Sequence, residues 1–392
     1  MNAKNKFINK NLLVITPSYP DLNNVYIGGK FVKEQINIIK IFFNKIYIIS
    51  PQPHGVKTRL YINRQYCYDN VYVYYPRFVH IPITVYREKL GINFLKAINK
   101  ILKGHDIYFD LIHAHFTWPS GYAASLLKEV YGYVKFVLTV HEDRNWFIKE
   151  YSSNDISIYS TWKKADAIIR VNKADTHLLQ KINSNTYYIP NGYNPQKIYP
   201  MNKQLARKKL NIPTNKHILF TVGKIEKRKG YHILVRALDV LINKHRHKNI
   251  FCIIGGEGPY KKQLKSLIKK YDLKQYIWLS GFIEDAKLNF YYNAADIFVL
   301  PSYSEGNPTV MFEALGAGIP FVGTAVGGVP EIIISDEYGY LTKPGDYVDL
   351  ANKIIQALEK KWNRDKIVEY AKRFTWQNIG YKIMEIYSLI CD

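Results

Sequence analysis

DIFVLPSYSEGNPTVMFEALGAGIPFVGTAV, residues 296–326, alternates two short apolar runs with a helical passage. The runs DIFVLPS (296–302) and PFVGTAV (320–326) are rich in Val, Ile and Phe and bounded by Pro and Gly, the marks of buried strands. Between them Asn307 is a good N-cap and Pro308 suits the first helical position, where a missing N–H has no intrahelical partner to lose. A helix starting there would aim the free amides of Thr309, Val310 and Met311, with the positive end of the helix dipole, at any bound anion. Glu313 follows Pro308 by about 7.5 Å along the axis at roughly 1.5 Å per residue, while Glu305 stays in the preceding loop. One carboxylate on each side of a bound diphosphate would accept hydroxyl hydrogen bonds; solvated surface charges are the plainer alternative.

The same strand–helix alternation runs through the chain. In the first half the strands are NLLVIT (11–16), KIYIIS (45–50), VYVYY (71–75), DLIHAHF (110–116), KFVLTVH (135–141), DAIIRVN (166–172) and TYYIPN (186–191). In the second half HILFTVG (217–223), NIFCIIGG (249–256) and YIWLSGF (276–282) precede the opening pair. Apolar strands joined by helical crossovers predict parallel sheets covered on both faces, an α/β class. The series restarts after NPQKIYPMNK (194–203), a polar, Pro-containing linker. Two doubly wound, Rossmann-like domains are expected, facing across a cleft: 1–196 with a C-terminal helix at about 376–392, and 197–375. Ligands of such sheets bind at the carboxyl ends of the strands.

The chain has 392 residues, 47% hydrophobic, and carries a net charge of +23 from 55 basic and 32 acidic residues. That charge admits an anionic membrane surface, an anionic substrate or nucleic acid, and part of it reflects a composition rich in Lys, Asn, Ile and Tyr. No nucleic-acid module is recognisable. No signal-peptide core or membrane-length apolar run is visible, so a cytoplasmic location is expected. Cys67, Cys252 and Cys391 form no C-x-x-C or Cys/His cluster. His113 and His115 alternate on a strand and share a face; an H-x-H pair alone, with no D-x-D in the chain, does not make a metal site.

Taken in order, GGKFVKEQ (28–35), HAHFTWPSGY (113–122), VGKIEKRKG (222–230), GGEGP (255–259), GF (281–282), PSYSEGNPTVMFEALGAGIP (301–320) and GGVPEI (327–332) resemble the signatures of the retaining glycosyltransferases of family four, over nearly the whole chain. The resemblance implies the two-domain GT-B fold and a metal-independent, cofactor-free transfer of a sugar from a nucleotide-sugar donor to a saccharide or lipid-linked saccharide, in polysaccharide or glycoconjugate synthesis. It implies that Glu305 holds sugar hydroxyls, Glu313 the ribose, Lys224 and Lys229 the diphosphate, and that His115 sits near the sugar C1. Gly28 and Gly29 would let backbone approach the diphosphate, Ile283 would meet the base through its backbone, and Asn307, Thr309 and Val310 would complete the donor site. His113 is expected to be packed, His141 either to line the acceptor side or to be a satisfied structural histidine, and Lys227 and Arg228 to be solvated. The helix FTWQNIGYKIMEIYSLI (374–390) is expected to cross back to the first domain.

Two features depart from the pattern. Lysine stands at 224 where most relatives carry arginine, keeping the charge but not the bidentate fork. Asn307-Pro308 replaces Phe-Gly, and Pro308 offers no N–H. A nucleotide-sugar epimerase of the same fold and an inactive sugar-nucleotide-binding subunit are the alternatives. Finally, KLGINFLKAINKILK (89–103) sets Leu90, Phe94, Leu95, Ile98, Ile101 and Leu102 against Lys89, Lys96, Lys100 and Lys103. Such a stripe packs on the sheet or, with its lysines and Tyr86, meets an anionic membrane on the inner face of the cell membrane.

Overall fold

The computed structural model describes residues 6–22, 28–54, 64–79 and 87–392, and Tyr86 lies outside them. The chain divides into two compact units, residues 1–190 with 376–392 and residues 191–375. Among the described residues the first unit carries strands β1 (Asn11–Ile15), β2 (Lys45–Ile49), β3 (Gln52–His54), β4 (Tyr66–Tyr68), β5 (Val71–Tyr74), β6 (Arg77–Val79), β7 (Leu111–His115), β8 (Lys135–Val140), β9 (Ala167–Arg170) and β10 (Thr186–Tyr188). Eight of these form one sheet in the order β10-β9-β8-β7-β1-β2-β5-β4, and β3 pairs with β6 alongside. The second unit carries β11 (His217–Val222), β12 (Ile250–Gly255), β13 (Ile277–Gly281), β14 (Ile297–Leu300), β15 (Phe321–Thr324) and β16 (Gly339–Thr342), ordered β13-β12-β11-β14-β15-β16.

The continuous apolar strands have a simple origin. Leu12 and Val14 point into one core and Leu13 and Ile15 into the other, on opposite faces of the first sheet. In β11, Ile218 and Phe220 enter one core while Leu219 enters its counterpart. A strand whose side chains alternate between two faces that are both buried loses the apolar–polar alternation of a half-exposed sheet.

Each run named from the sequence lies on a strand in the structure. The expectation of purely parallel sheets fails at one edge, where β4 pairs antiparallel with β5, Tyr66 opposite Val73 and Tyr68 opposite Val71. Its three residues, with Cys67 exposed, are too few to show a periodicity. A short strand closing a sheet edge limits pairing with other chains. Strand β16, GYLT, was equally too short to read.

Helix α1 (Lys30–Ile39) follows β1, helix α2 (Arg87–Gly104) precedes β7, and α3 (Tyr231–Asp239), α4 (Thr309–Gly316) and α5 (Trp376–Cys391) complete the elements that bear on function. On α2, Phe94, Ala97, Ile98 and Leu102 are buried against the sheet, whereas Lys89, Lys96, Lys100 and Lys103 are exposed. Helix α5 belongs to the first unit. There Gly380 lets it lie close to α1: a Cβ at Gly380 would come within 2.6 Å of Ile38.

Both main sheets reverse their strand order at one place, between β1 and β7 in the first unit and between β11 and β14 in the second. At such a point the connections leave to opposite sides and open a crevice at the carboxyl ends of the strands. In the second unit the loops there approach so closely that a glycine is required. Gly230 has φ +67°, and a Cβ on it would stand 1.9 Å from the carbonyl oxygen of Pro301. Gly230→Ala is expected to destabilise the second unit by about 1–2 kcal/mol from the left-handed backbone alone, with the clash added. At about 2–4 °C per kcal/mol for a unit of this size, calorimetry would show a clear fall in its Tm. Gly104→Ala, at a position with nothing within 4 Å, should leave Tm unchanged or slightly raised.

Candidate active site

In the second unit the turn after β11 and the loop after β14 meet at the switch point. Backbone hydrogen bonds join the neighbouring turns: Gly223 N donates to Gly255 O (3.1 Å), Ile225 N to Glu257 O (2.8 Å), Gly256 N to Gly281 O (2.6 Å) and Tyr303 N to Arg228 O (2.8 Å). Within this frame the Glu305 carboxylate is nearly buried, 6% exposed. Lys229 Nζ donates to its Oε1 at 2.8 Å and to its Oε2 at 3.0 Å, and Ser302 Oγ donates to Oε1 at 2.6 Å. Arg228 stands 3.7 Å away through Nη1, donates to Ser304 O, and is paired with Glu226 at 2.9 Å.

These contacts revise the pairing expected of the two lysines. Lys229, 17% exposed, is the partner of Glu305, whereas Lys224, 67% exposed and 3.5 Å from Glu226, is the cation that reaches outward. Arg228 is exposed, as expected, at 41% of its side chain, and it also braces the loop that carries Glu305. Its reach across to Ser304 O could not be read from adjacent basic residues.

Helix α4 begins one residue later than expected. Pro308 occupies the N-cap position with φ −71° and ψ 119°, and no side chain caps the helix. Asn307 is used elsewhere: its Oδ1 accepts from Asn191 N (2.8 Å) and its backbone oxygen from Asn191 Nδ2 (2.7 Å). The long-range partner outweighs the local capping bond. Met311 N donates to Pro308 O (3.2 Å), so the amides that the helix itself leaves open are those of Thr309 and Val310. Glu313, on the same helix, accepts from Tyr292 Oη at 2.7 Å through Oε2. Tyr292 is fully buried, and nothing in the spacing of NFYYNAAD (289–296) marks it as the support of a carboxylate 21 residues later. Ile283 is 9% exposed and its side chain lies in the core, which leaves its backbone as the group able to meet a ligand.

Gly327 and Gly328 close the same loop. A Cβ on Gly327, whose φ is +52°, would meet Glu305 O at 1.9 Å, and Gly328 N donates to Gly306 O at 2.7 Å.

In the first unit Gly29 has φ +72°, and a Cβ there would lie 2.0 Å from Ser18 O. The protein's own backbone therefore requires Gly29. At the end of β7 the rings of His113 and His115 lie 4.4 Å apart on one face, as the H-x-H spacing predicts. His113 is held by Tyr387 Oη (2.6 Å) and Thr139 Oγ1 (2.7 Å), and burial lowers its pKa to about 3. His115, which the resemblance places near the sugar C1, is fully buried. Its Nδ1 is 3.0 Å from His141 Nε2, and His141 keeps 8% of its surface. Burial, with the neighbouring imidazoles, holds His115 well below the usual histidine range; burial, with His113 and Arg170, does the same for His141. Beside them Thr117 N donates to Glu142 Oε1 (2.6 Å), and burial raises the pKa of that carboxyl. Arg170, fully buried, donates to Val140 O (3.0 Å) and Glu142 O (2.8 Å) on either side of His141, and to Asp175 Oδ2 (2.9 Å). Neither Glu142, within the charged run HEDR, nor Arg170, alone in an apolar strand, carries a spacing signature in the sequence.

With this geometry in hand, residues 202–374 match the model of the glycosyl transferases group 1 and residues 45–197 that of Glycosyltransferase Family 4. A Bacillus subtilis glycosyltransferase named for teichuronic acid biosynthesis, TuaC, is 29% identical over 362 residues, covering 88% of each chain. The N-acetyl-alpha-D-glucosaminyl L-malate synthase of Bacillus anthracis is 25% identical, over 72% of this chain and 74% of the other. Among solved structures, sucrose-phosphate synthase from Thermosynechococcus elongatus superposes with a TM-score of 0.79 at 22% identity, covering 97% and 99% of the two chains. Anabaena HepE in complex with UDP-glucose gives 0.73 at 18% identity, covering 97% and 100%. These likenesses establish the GT-B fold, two Rossmann-like domains with parallel sheets. By the two matched models, which between them span most of its length, the chain belongs to the glycosyltransferases of family four.

Proposed function

We propose that this glycosyltransferase moves a hexose-type sugar from a nucleotide-sugar donor to a saccharide or lipid-linked saccharide, with retention of configuration and without a metal ion, as a step in polysaccharide or glycoconjugate assembly. The observation that carries the reading is the Lys229–Glu305–Ser302 cluster at the switch point of the second sheet. The same unit carries the open amides of Thr309 and Val310 at the start of α4 and the outward Lys224. The name of TuaC supports the glycoconjugate setting, and the complexes of HepE with UDP and with UDP-glucose support a nucleotide-hexose donor.

In this reading the diphosphate rests on the amides at the start of α4, where the helix dipole favours an anion, and Lys224 faces it. Those groups stabilise the negative charge that develops as the bond from C1 to the diphosphate breaks. Glu305 grips sugar hydroxyls with the oxygen capacity that Lys229 and Ser302 leave free. Glu313, steadied by Tyr292, grips the ribose. The acceptor enters on the face from which the diphosphate departs. Among the described residues no group of three His, Cys, Asp or Glu is arranged to hold a metal ion, and Lys224 with the helix terminus supplies the positive charge that a cation would bring.

Three outcomes follow from these roles. Ribose contacts are alike in ground and transition states, so Glu313→Gln and Tyr292→Phe should raise the donor KM by about tenfold and leave kcat nearly unchanged. Glu305→Gln should instead lower kcat by on the order of 10–100-fold. Steady-state kinetics with one competent donor separates the two; matching, near-native constants for all three variants would reduce the loop and helix to structure.

Turnover should persist in excess EDTA. Activity that disappears with chelator and returns with Mg2+ would overturn metal independence.

The acceptor side connects to the exposed lysines of α2. No helix among the described residues is long and apolar enough to cross a membrane, and the apolar stripe of α2 is occupied by the sheet. Peripheral attachment would therefore be electrostatic, at about 1 kcal/mol per lysine near an anionic surface. Cosedimentation with phosphatidylglycerol vesicles should be strong at low salt, weaken as salt screens it, and fall in the triple variant of Lys96, Lys100 and Lys103 to Gln. Absence of binding even at low salt would remove the membrane from the reading.

A further inference from the structure

At the carboxyl end of β7 and β8, three buried imidazoles make a connected series from α5 to the crevice of the first unit. Tyr387 Oη contacts His113 Nδ1 and Thr139 Oγ1 contacts His113 Nε2. His113 lies against His115, and His115 Nδ1 meets His141 Nε2 at 3.0 Å. The rings of Phe31 and Phe116 stand 4.6 and 5.1 Å from that of His141, and Arg170 holds the carbonyls on either side of it. Of the three, His141 retains exposure, and its Nδ1 has no partner among the described residues.

The remaining nitrogen decides the tautomers. His115 Nε2 is buried without a hydrogen-bond partner. A buried N–H left unpaired is rarer and less tolerated than an acceptor left unfilled, so Nε2 of His115 carries no proton. A neutral imidazole has one N–H, which places the proton of His115 on Nδ1 and makes His141 Nε2 the acceptor. His141 must then carry its own proton on Nδ1, the nitrogen that faces out. We infer that His115 is a positioning residue that sets the tautomer of His141, so that His141 presents an Nδ1–H donor to an oxygen of the substrate at the first unit's crevice. This rests on the proposed transfer reaction and assigns His115 a place behind the site instead of beside the sugar. The trio is neutral at physiological pH because burial disfavours every charged form, which keeps the donor in one state across the working range.

The test begins with the unmodified full chain labelled with 15N-histidine, in which the ring nitrogens report protonation directly. His141, assigned through the loss of its signals in His141→Asn, should be protonated at Nδ1 and bare at Nε2. Protonation at Nε2 overturns the inference and needs no variant that might misfold. His115→Phe keeps a ring of similar size and removes the donor; His141 should then populate both tautomers and kcat should fall by about tenfold, the scale of one oriented hydrogen bond, with the donor KM unchanged. His115→Asn, whose side-chain amide donates from near the place of Nδ1, should recover most of that loss. An unchanged His141 spectrum and kcat in His115→Phe would also overturn the assignment. Should the wild-type chain transfer no sugar from any donor, the transfer reading fails while the tautomer of His141 remains readable.

Discussion

The ion pair between Lys229 and Glu305 governs the arrangement of the second unit's site. Removing a carboxylate from water is costly unless hydrogen bonds and an opposite charge replace the lost hydration, and here Lys229, Ser302 and the more distant Arg228 do so. The two partners come from different connections, after β11 and after β14. Their contact therefore ties together the loops that the sheet's reversal drives apart. A carboxylate held in this way is fixed in one orientation, the condition for a preorganised site.

That contact depends on backbone proximity that side chains would prevent. Gly230 against Pro301 and Gly327 against Glu305 each leave no space for a Cβ. The loops after the strands thus pack main chain against main chain. Asn191 and Asn307 extend this packing to the first residues of the unit by exchanging backbone and side-chain hydrogen bonds.

The first unit uses a different device. Its crevice is backed by neutral imidazoles and by Arg170, whose guanidinium is neutralised by Asp175 and lies 4.5 Å over the ring of Phe147. The connection from Tyr387 of α5 to His113 also means that the last helix helps to hold strand β7, although the two residues lie 274 positions apart in sequence.

By itself the sequence determined the α/β class, the strands at the heart of each sheet and the motif order that marks the family, because strand periodicity, helix starts and glycine turns are local properties written into short stretches. It also placed His113 and His115 on one face, a consequence of the two-residue strand repeat. Tertiary structure alone decided the direction of the edge strand β4, the diversion of Asn307 from capping α4 to binding Asn191, the engagement of Lys229 by Glu305 while Lys224 reaches outward, and the support of Glu313 by Tyr292. It likewise buried His115 completely and left His141 with 8% of its surface exposed. Each of these depends on which distant group lies within hydrogen-bond reach, and on how much water burial has removed, and neither quantity is carried by the spacing of residues along the chain.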